Sequence, residues 1–234
     1  GHVKAVDDVS LNVFQGETLG IVGESGCGKT TLGKCVVRLH QPTGGKILLR
    51  QEDGEMKDLL ALNKAESFSA RKRIQMVFQD PYASLNPSIN IYNAFDEPMR
   101  IHGLGNKAQR REIIANMLET VNLQPDYMYR CPHEFSGGQR QRICIAKALA
   151  MGPEVIVCDE PVSALDVSIQ AQIMNLMREL QAQYNLTYLF IAHDLSVVQY
   201  MSDRIAVMYL GKVVELASTD ELCSCKAHPY TEAL

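Results

Sequence analysis

Gly23-Glu24-Ser25-Gly26-Cys27-Gly28-Lys29-Thr30 constrains the fold more than any other stretch of this chain. It is a complete G-x-x-x-x-G-K-[ST] loop. A strand-like run from Glu17 to Val22 precedes it and a helix-like run from Thr31 to His40 follows. A strand must deliver such a loop and a helix must receive it for the motif to be more than a string match. Glycines let the main chain wrap closely round an anion, with successive N–H groups turned inward. The helix behind adds the positive end of its dipole. In this reading Lys29 reaches the outer phosphates and Thr30 holds Mg²⁺, so the expected ligand is a nucleoside triphosphate. The bland alternative, an ordinary surface helix start, leaves the glycines and the lysine unexplained.

The rest of the chain alternates strand and helix patterns. Residues 3–13 alternate apolar and polar and predict a strand. Pro42-Thr43-Gly44-Gly45 is a turn, after which Lys46 to Leu49 restarts a strand. Residues 51–70 are polar and mixed and are expected to form a surface excursion. Ile74 to Phe78 is a short apolar strand that delivers Gln79. Helical periodicity then dominates, with Ile113, Ile114, Met117, Leu118 and Val121 on one face of residues 107–121, and a more buried helix over 139–150. Residues 168–183 form an amphipathic helix, and strands return at 155–159, 186–192, 204–209 and 212–216. Alternation of this kind around a phosphate loop predicts an α/β fold with a mainly parallel sheet covered by helices. The expected organisation is one unit over 1–234, with 1–87 and 151–234 as its α/β core and 88–150 as an inserted helical subdomain.

Several polar residues fall at strand ends. Asp159 closes the apolar strand Val155-Ile156-Val157-Cys158, where a buried carboxylate is costly unless a cation compensates it. Mg²⁺ bridging phosphate oxygens would be that cation. Glu160, one residue on, is placed to polarise an attacking water as a general base. Gln79 is neutral, so it can ligate Mg²⁺ or orient water and still enter and leave a site at no charge cost. His193 ends another apolar strand and can donate a hydrogen bond to a terminal phosphate. Each has a plainer reading, as a capping acid, a loop amide or a structural histidine. Ser136-Gly137-Gly138-Gln139 has two compatible readings. Ser-x-x-Gln is a helix capping box, and a glycine-rich helix start with a serine cap is also a phosphate cradle.

Phe135-Ser136-Gly137-Gly138-Gln139, the strand ending in Asp159-Glu160, Ser163-Ala164-Leu165-Asp166 and Ile191-Ala192-His193-Asp194 follow the phosphate loop and Gln79 in order. In this the chain resembles the ATP-binding cassette (ABC) family of transport ATPases over nearly its whole length. Gln79-Asp80-Pro81-Tyr82-Ala83-Ser84-Leu85-Asn86-Pro87 and His228-Pro229-Tyr230-Thr231 are similar to the ATPase subunits of bacterial di/oligopeptide and nickel importers, so the resemblance implies a peptide or a similar small solute.

The resemblance implies a RecA-like P-loop NTPase core, an N-terminal antiparallel β-region and the inserted helical subdomain. It implies ATP and Mg²⁺ as ligands, with Gly23 to Thr31 round the phosphates and Thr30, Gln79 and Asp159 on the metal. Glu160, His193 and Gln79 would serve catalysis. Ser136 to Gln139 and Asp166 would serve the ATP of a second, facing cassette, identical or paralogous. Two transmembrane permease subunits, contacted near Asp80 to Arg100, and a solute-binding protein complete the implied assembly on the cytoplasmic face of the cell membrane. An ABC ATPase of a non-transport complex, such as one for phosphonate degradation, is the alternative. The family stacks adenine on an upstream aromatic. Phe14 is the only one near, so the stacking residue is expected before Gly1, in a domain clipped at both ends.

Composition fits these expectations. The chain has 234 residues, 46% hydrophobic and 21% charged, as in ordinary globular proteins. No run of 18 apolar residues occurs, so a transport role needs separate membrane subunits. The net charge of −4 argues against a nucleic-acid surface. Seven cysteines with no framework spacing suggest a reducing compartment. Cys27 reads first as a small space-filler; beside Lys29 and a helix start it is also expected to have a lowered thiol pKa and to be shielded by bound nucleotide.

Overall fold

A computed structural model describes residues 4–51 and 53–234. Its strands are β1 (Thr18–Val22), β2 (Leu48–Arg50), β3 (Met56–Asp58), β4 (Ile74–Val77), β5 (Val155–Asp159), β6 (Thr187–Ile191), β7 (Arg204–Tyr209) and β8 (Lys212–Ser218). Its helices are α1 (Lys29–Val36), α2 (Lys64–Arg73), α3 (Pro81–Ser84), α4 (Ile91–Ile101), α5 (Lys107–Thr120), α6 (Gly137–Leu149), α7 (Val167–Tyr184), α8 (Leu195–Met201), α9 (Thr219–Ser224) and α10 (Pro229–Ala233). Two 3-10 turns, Pro125–Tyr129 and Pro132–Glu134, link α5 to α6.

The main sheet runs β4-β5-β6-β1-β7-β8. Its first five strands are parallel, and β8 folds back antiparallel on β7. β1 and β6 are buried along their whole lengths, as a parallel sheet covered on both faces requires. The alternation of side chains assigns the two faces. Leu19, Ile21, Val157, Leu189, Ile191, Ala206 and Met208 share one apolar cluster with Leu32 and Val36 of α1. Ile156, Cys158, Tyr188, Phe190, Ile205 and Val207 point the other way, into a cluster with α6, α7 and α8. That second cluster continues without a break to Phe95, Ile114 and Leu118 of α4 and α5.

One expectation is corrected. The strand over residues 3–13 does not form in its described part, which runs as coil from 4 to 14. Val9 and Leu11 pack against the first cluster, so their alternation reflects side-chain burial without a hydrogen-bonded partner. The antiparallel pair at this end is instead β2 with β3. Residues 51–70 lie largely at the surface, as expected, and within that stretch form β3 and most of α2. The α2 helix starts at a full capping box, Asn63 with Glu66. It was hidden by its polarity, as Ser67 is its only buried residue.

Candidate nucleotide site

Parallel pairing puts the C-terminal ends of β1, β4, β5 and β6 along one edge of the sheet, where ligands of open α/β sheets bind. From those ends the chain delivers the phosphate loop, Gln79, Asp159 with Glu160, and His193. A cleft of about 470 Å³ opens there, lined by Ser25, Gly26, Gly28, Lys29, Thr30, Thr31, Gln79, Glu160 and His193, together with Ala5. Gly28 caps α1 with φ 108°, and a Cβ on it would sit 2.0 Å from the carbonyl oxygen of Ala5. Only glycine meets both demands.

Lys29 is 5% exposed and folds over its own loop. Its ammonium donates to the carbonyls of Gly23 at 2.6 Å and Glu24 at 2.9 Å. Those carbonyls stand in for the anionic oxygens that a phosphate would offer. Gly23, Glu24 and Cys27 do not line the cleft. Gly23 and Glu24 hold Lys29 through their carbonyls, and Cys27 is buried under the loop with Sγ 3.8 Å from the Lys29 Nζ. The expectation that bound nucleotide shields Cys27 is corrected, because the protein itself buries the thiol, as the space-filling reading has it.

Asp159 is 3% exposed and accepts a 2.8 Å hydrogen bond from the Thr30 hydroxyl. Burial raises its pKa above the usual carboxylate range; the Thr30 bond opposes this, and the neighbouring Glu160 charge adds to it. A buried carboxylate in that condition, paired only to a hydroxyl, suits a hard divalent cation. Among the described residues no three His, Cys, Asp or Glu side chains gather to hold a metal. A cation at Thr30 and Asp159 would therefore depend on phosphate oxygens for much of its shell.

Glu160 follows β5 in a left-handed backbone conformation, φ 47°. This turns its side chain along the cleft. Its Oε2 accepts from the Gln79 amide at 3.1 Å and lies 3.1 Å from His193 Nδ1. Gln79, Glu160 and His193, from three different strands, thus converge on one carboxylate oxygen. Gln79 is bonded to Glu160 here, whereas Thr30 is bonded to Asp159.

The remaining predicted residues form a separate group off the cleft. Ser136 caps α6 through a reciprocal box with Gln139. Gly138 lies so close to α7 that a Cβ would meet Ile169 Cγ2 at 2.7 Å, and a Cβ on Gly137 would meet Leu165 at 3.4 Å. Asp166 caps α7, accepting from the Ile169 N–H at 3.0 Å and the Ser168 hydroxyl at 2.8 Å. These bonds, the Ile169 one first, hold its carboxyl below the ordinary range. None of Ser136, Gly137, Gly138, Gln139 or Asp166 lines the cleft of its own chain.

Phe14 does not serve the cleft either. Its ring lies 5.1 Å from the Arg204 guanidinium and its N–H donates to Glu17, at the opposite edge of the sheet. Sequence reasoning also missed two contacts. Ala5 borders the cleft, and the Tyr230 hydroxyl touches the phosphate loop; neither residue carries a local signal of it.

Comparison with known proteins agrees with this geometry. The ABC transporter family matches residues 6–163. The oligopeptide transport ATP-binding protein AppF of Bacillus subtilis is 56% identical over 234 residues, all of this chain and 70% of that protein. OppF of the same organism is 54% identical over 239 residues, all of this chain and 76% of that protein. Among solved structures, the ATP-binding cassette MJ0796 in a dimeric post-hydrolysis state bound to ADP and Pi superposes with TM-score 0.78 at 29% identity, covering 92% of this chain and 90% of that one. The cbiO1 subunit of a Clostridium perfringens ABC transporter gives TM-score 0.82 at 28% identity, covering 95% and 85%. By family match, by close relatives and by cassette fold, the chain belongs to the ABC transporter family and is an ATP-binding, ATP-hydrolysing cassette.

Proposed function

We propose that this cassette powers the import of peptides through separate membrane subunits, with Glu160 as the general base of ATP hydrolysis. The observation that carries the chemical part is the convergence of Gln79 and His193 on one oxygen of Glu160 at the mouth of the phosphate-loop cleft. The import assignment rests on the relatives, which are named as oligopeptide transport ATP-binding proteins.

In this reading a triphosphate enters the loop and Lys29 exchanges its two carbonyl partners for phosphate oxygens. Thr30 and Asp159, with Gln79 after it leaves Glu160, would hold Mg²⁺, which neutralises phosphate charge when bound. Glu160 takes the proton of the attacking water. His193, held at its Nδ1 side by Glu160, offers the other face of its ring toward the terminal phosphate. Ser136 to Gln139 and Asp166 serve a second cassette across a dimer. Their position off their own cleft supports this, as does the dimeric state of the MJ0796 cassette. Residues 88–150 act as the subdomain that moves Gln79 and α6 relative to the core, and the segment from Asp80 to Arg100 meets the permeases. The chain sits peripherally on the cytoplasmic face of the membrane. Among its described residues no helix is long and apolar enough to cross one.

The test is ATP turnover by the purified chain, alone and with its permease subunits in vesicles. ATP hydrolysis that a translocated peptide stimulates supports the assignment. A chain that binds no ATP at millimolar concentration overturns it.

A further inference from the structure

The main chain at Glu24 is held on both sides of its Cα. Its carbonyl accepts from Lys29 Nζ at 2.9 Å, and its N–H donates to the Tyr230 hydroxyl at 2.8 Å, across 206 residues of sequence. Tyr230 belongs to α10, which is itself fastened. The Glu215 carboxylate of β8 accepts from the N–H groups of Ala227 at 2.9 Å and His228 at 3.1 Å, and from the Thr231 hydroxyl. Thr231 is fully buried. The Tyr230 ring packs on Tyr209 at 4.5 Å between centroids. Just beyond Tyr209, the Gly211 N–H donates to the Cys27 carbonyl at 2.9 Å. The phosphate loop is thus tied at Glu24 to the C-terminal helix and at Cys27 to the β7–β8 turn.

We propose that Tyr230 is a positioning residue for nucleotide binding, and that α10, clamped by Glu215, is a brace that holds the phosphate loop open around ATP. The physical reason is preorganisation. A glycine-rich loop loses main-chain freedom when it closes on phosphate, and a contact that has already fixed one of its peptides lowers that cost. Glu24 bears no side-chain contact to the cleft, so Tyr230 acts through the loop and not on the nucleotide. Linkage makes the effect reciprocal: bound ATP must tighten α10 against the loop by the same factor that α10 tightens ATP.

This inference rests on the reading of the cleft as the ATP site, and the experiment separates the two. ATP affinity and turnover are measured for the parent, Tyr230→Phe and Thr231→Val, with thermal unfolding as a folding control. Tyr230→Phe keeps the ring on Tyr209 and removes only the hydroxyl. It should weaken ATP binding about 2- to 10-fold, the worth of one hydrogen bond, and raise KM by that factor while kcat stays within twofold. Thr231→Val loosens the Glu215 clamp and should shift KM the same way. Hydrogen exchange at the Glu24 amide should speed up in both variants, and ATP should slow exchange through 229–233 in the parent. A parent that binds no ATP would sink the reading of the cleft and this inference with it. A parent that binds ATP, beside a folded Tyr230→Phe with unchanged KM and unchanged Glu24 exchange, would overturn the brace alone. A loss confined to kcat would overturn it too.

Discussion

His193 and Glu160 face each other across the mouth of the cleft, Nδ1 to Oε2 at 3.1 Å, although they end different strands 33 residues apart. The register of β5 on β6 makes this possible, because Asp159 lies level with Ile191 and the two loops leave the sheet side by side. The contact turns the two side chains toward each other at the cleft mouth.

Replacing Glu160 by glutamine should leave ATP binding near the parent's and cut turnover about 10²- to 10⁴-fold, the usual share of a positioned general base. The amide keeps the hydrogen bond from Gln79 only by flipping its own amide, and it cannot take a proton. Equilibrium binding and phosphate release, measured on one preparation, check this. Turnover within twofold of the parent would remove Glu160 from the role.

Lys29→Ala should act at an earlier stage. It deletes the cation that bridges the Gly23 and Glu24 carbonyls, so both ground-state and transition-state contacts to phosphate go. Charge-assisted hydrogen bonds of this kind predict ATP binding about 10- to 100-fold weaker, readable by calorimetry.

Asp159→Asn should stabilise the nucleotide-free protein at neutral pH while abolishing Mg²⁺-dependent turnover. Burial raises the folded-state pKa of Asp159, so the folded chain holds its proton to higher pH than the unfolded chain does. Stability from this group is therefore present below the ordinary carboxylate range and falls as pH rises toward the raised value. The asparagine carbonyl still accepts from Thr30 and has no charge to lose. Melting curves of the two proteins should converge in acid and separate, with the variant higher, above that window. The opposite order at neutral pH would contradict a burial-dominated Asp159.

Cys27 should label slowly with maleimides, with or without ATP, because it is buried under the phosphate loop. Cys223 and Cys225 are exposed and should label first. Mass spectrometry of digested protein decides the order. Rapid Cys27 labelling that ATP suppresses would place its thiol in the cleft.

Mixing two inactive variants should restore activity if Ser136 serves a partner's nucleotide. Lys29→Ala ruins the loop and Ser136→Arg ruins the α6 cradle, so a mixed dimer keeps one site with neither defect. Phosphate release well above the sum of the separate variants, in mixtures shown to contain dimers, is the expected result. Mixed dimers with no recovery would count against service in trans.

What the sequence disclosed follows the range of its signals. The phosphate loop, Gln79, Asp159, Glu160 and His193 were legible because each sits at the end of an apolar strand, and one parallel sheet brings such ends together. The bounds of α5 were legible because its apolar face matches its burial, and those of β7 because its short apolar run is buried without a break. Residues 4–14 misled because Val9 and Leu11 are partly buried one by one against the first cluster, with no neighbouring strand to pair. The α2 helix was overlooked for want of an apolar face, though Asn63-x-x-Glu66 spelled its start. Which of the two readings of Cys27 holds was not legible, because a motif gives order along the chain and not the side of the loop on which a residue falls. Tyr230 reaches Glu24 only through the folding of β8 and α10, which no local pattern encodes.

The separation of the Ser136–Asp166 seam from its own cleft has a kinetic consequence. On the proposed reading, one molecule carries two halves of different sites and no whole one. Its specific activity is then not a constant. The rate should climb as the square of enzyme concentration when chains are scarce and become linear once most are paired. Simple dilution would act as a reversible inhibitor, and assay results from different laboratories would agree only at matched protein concentration.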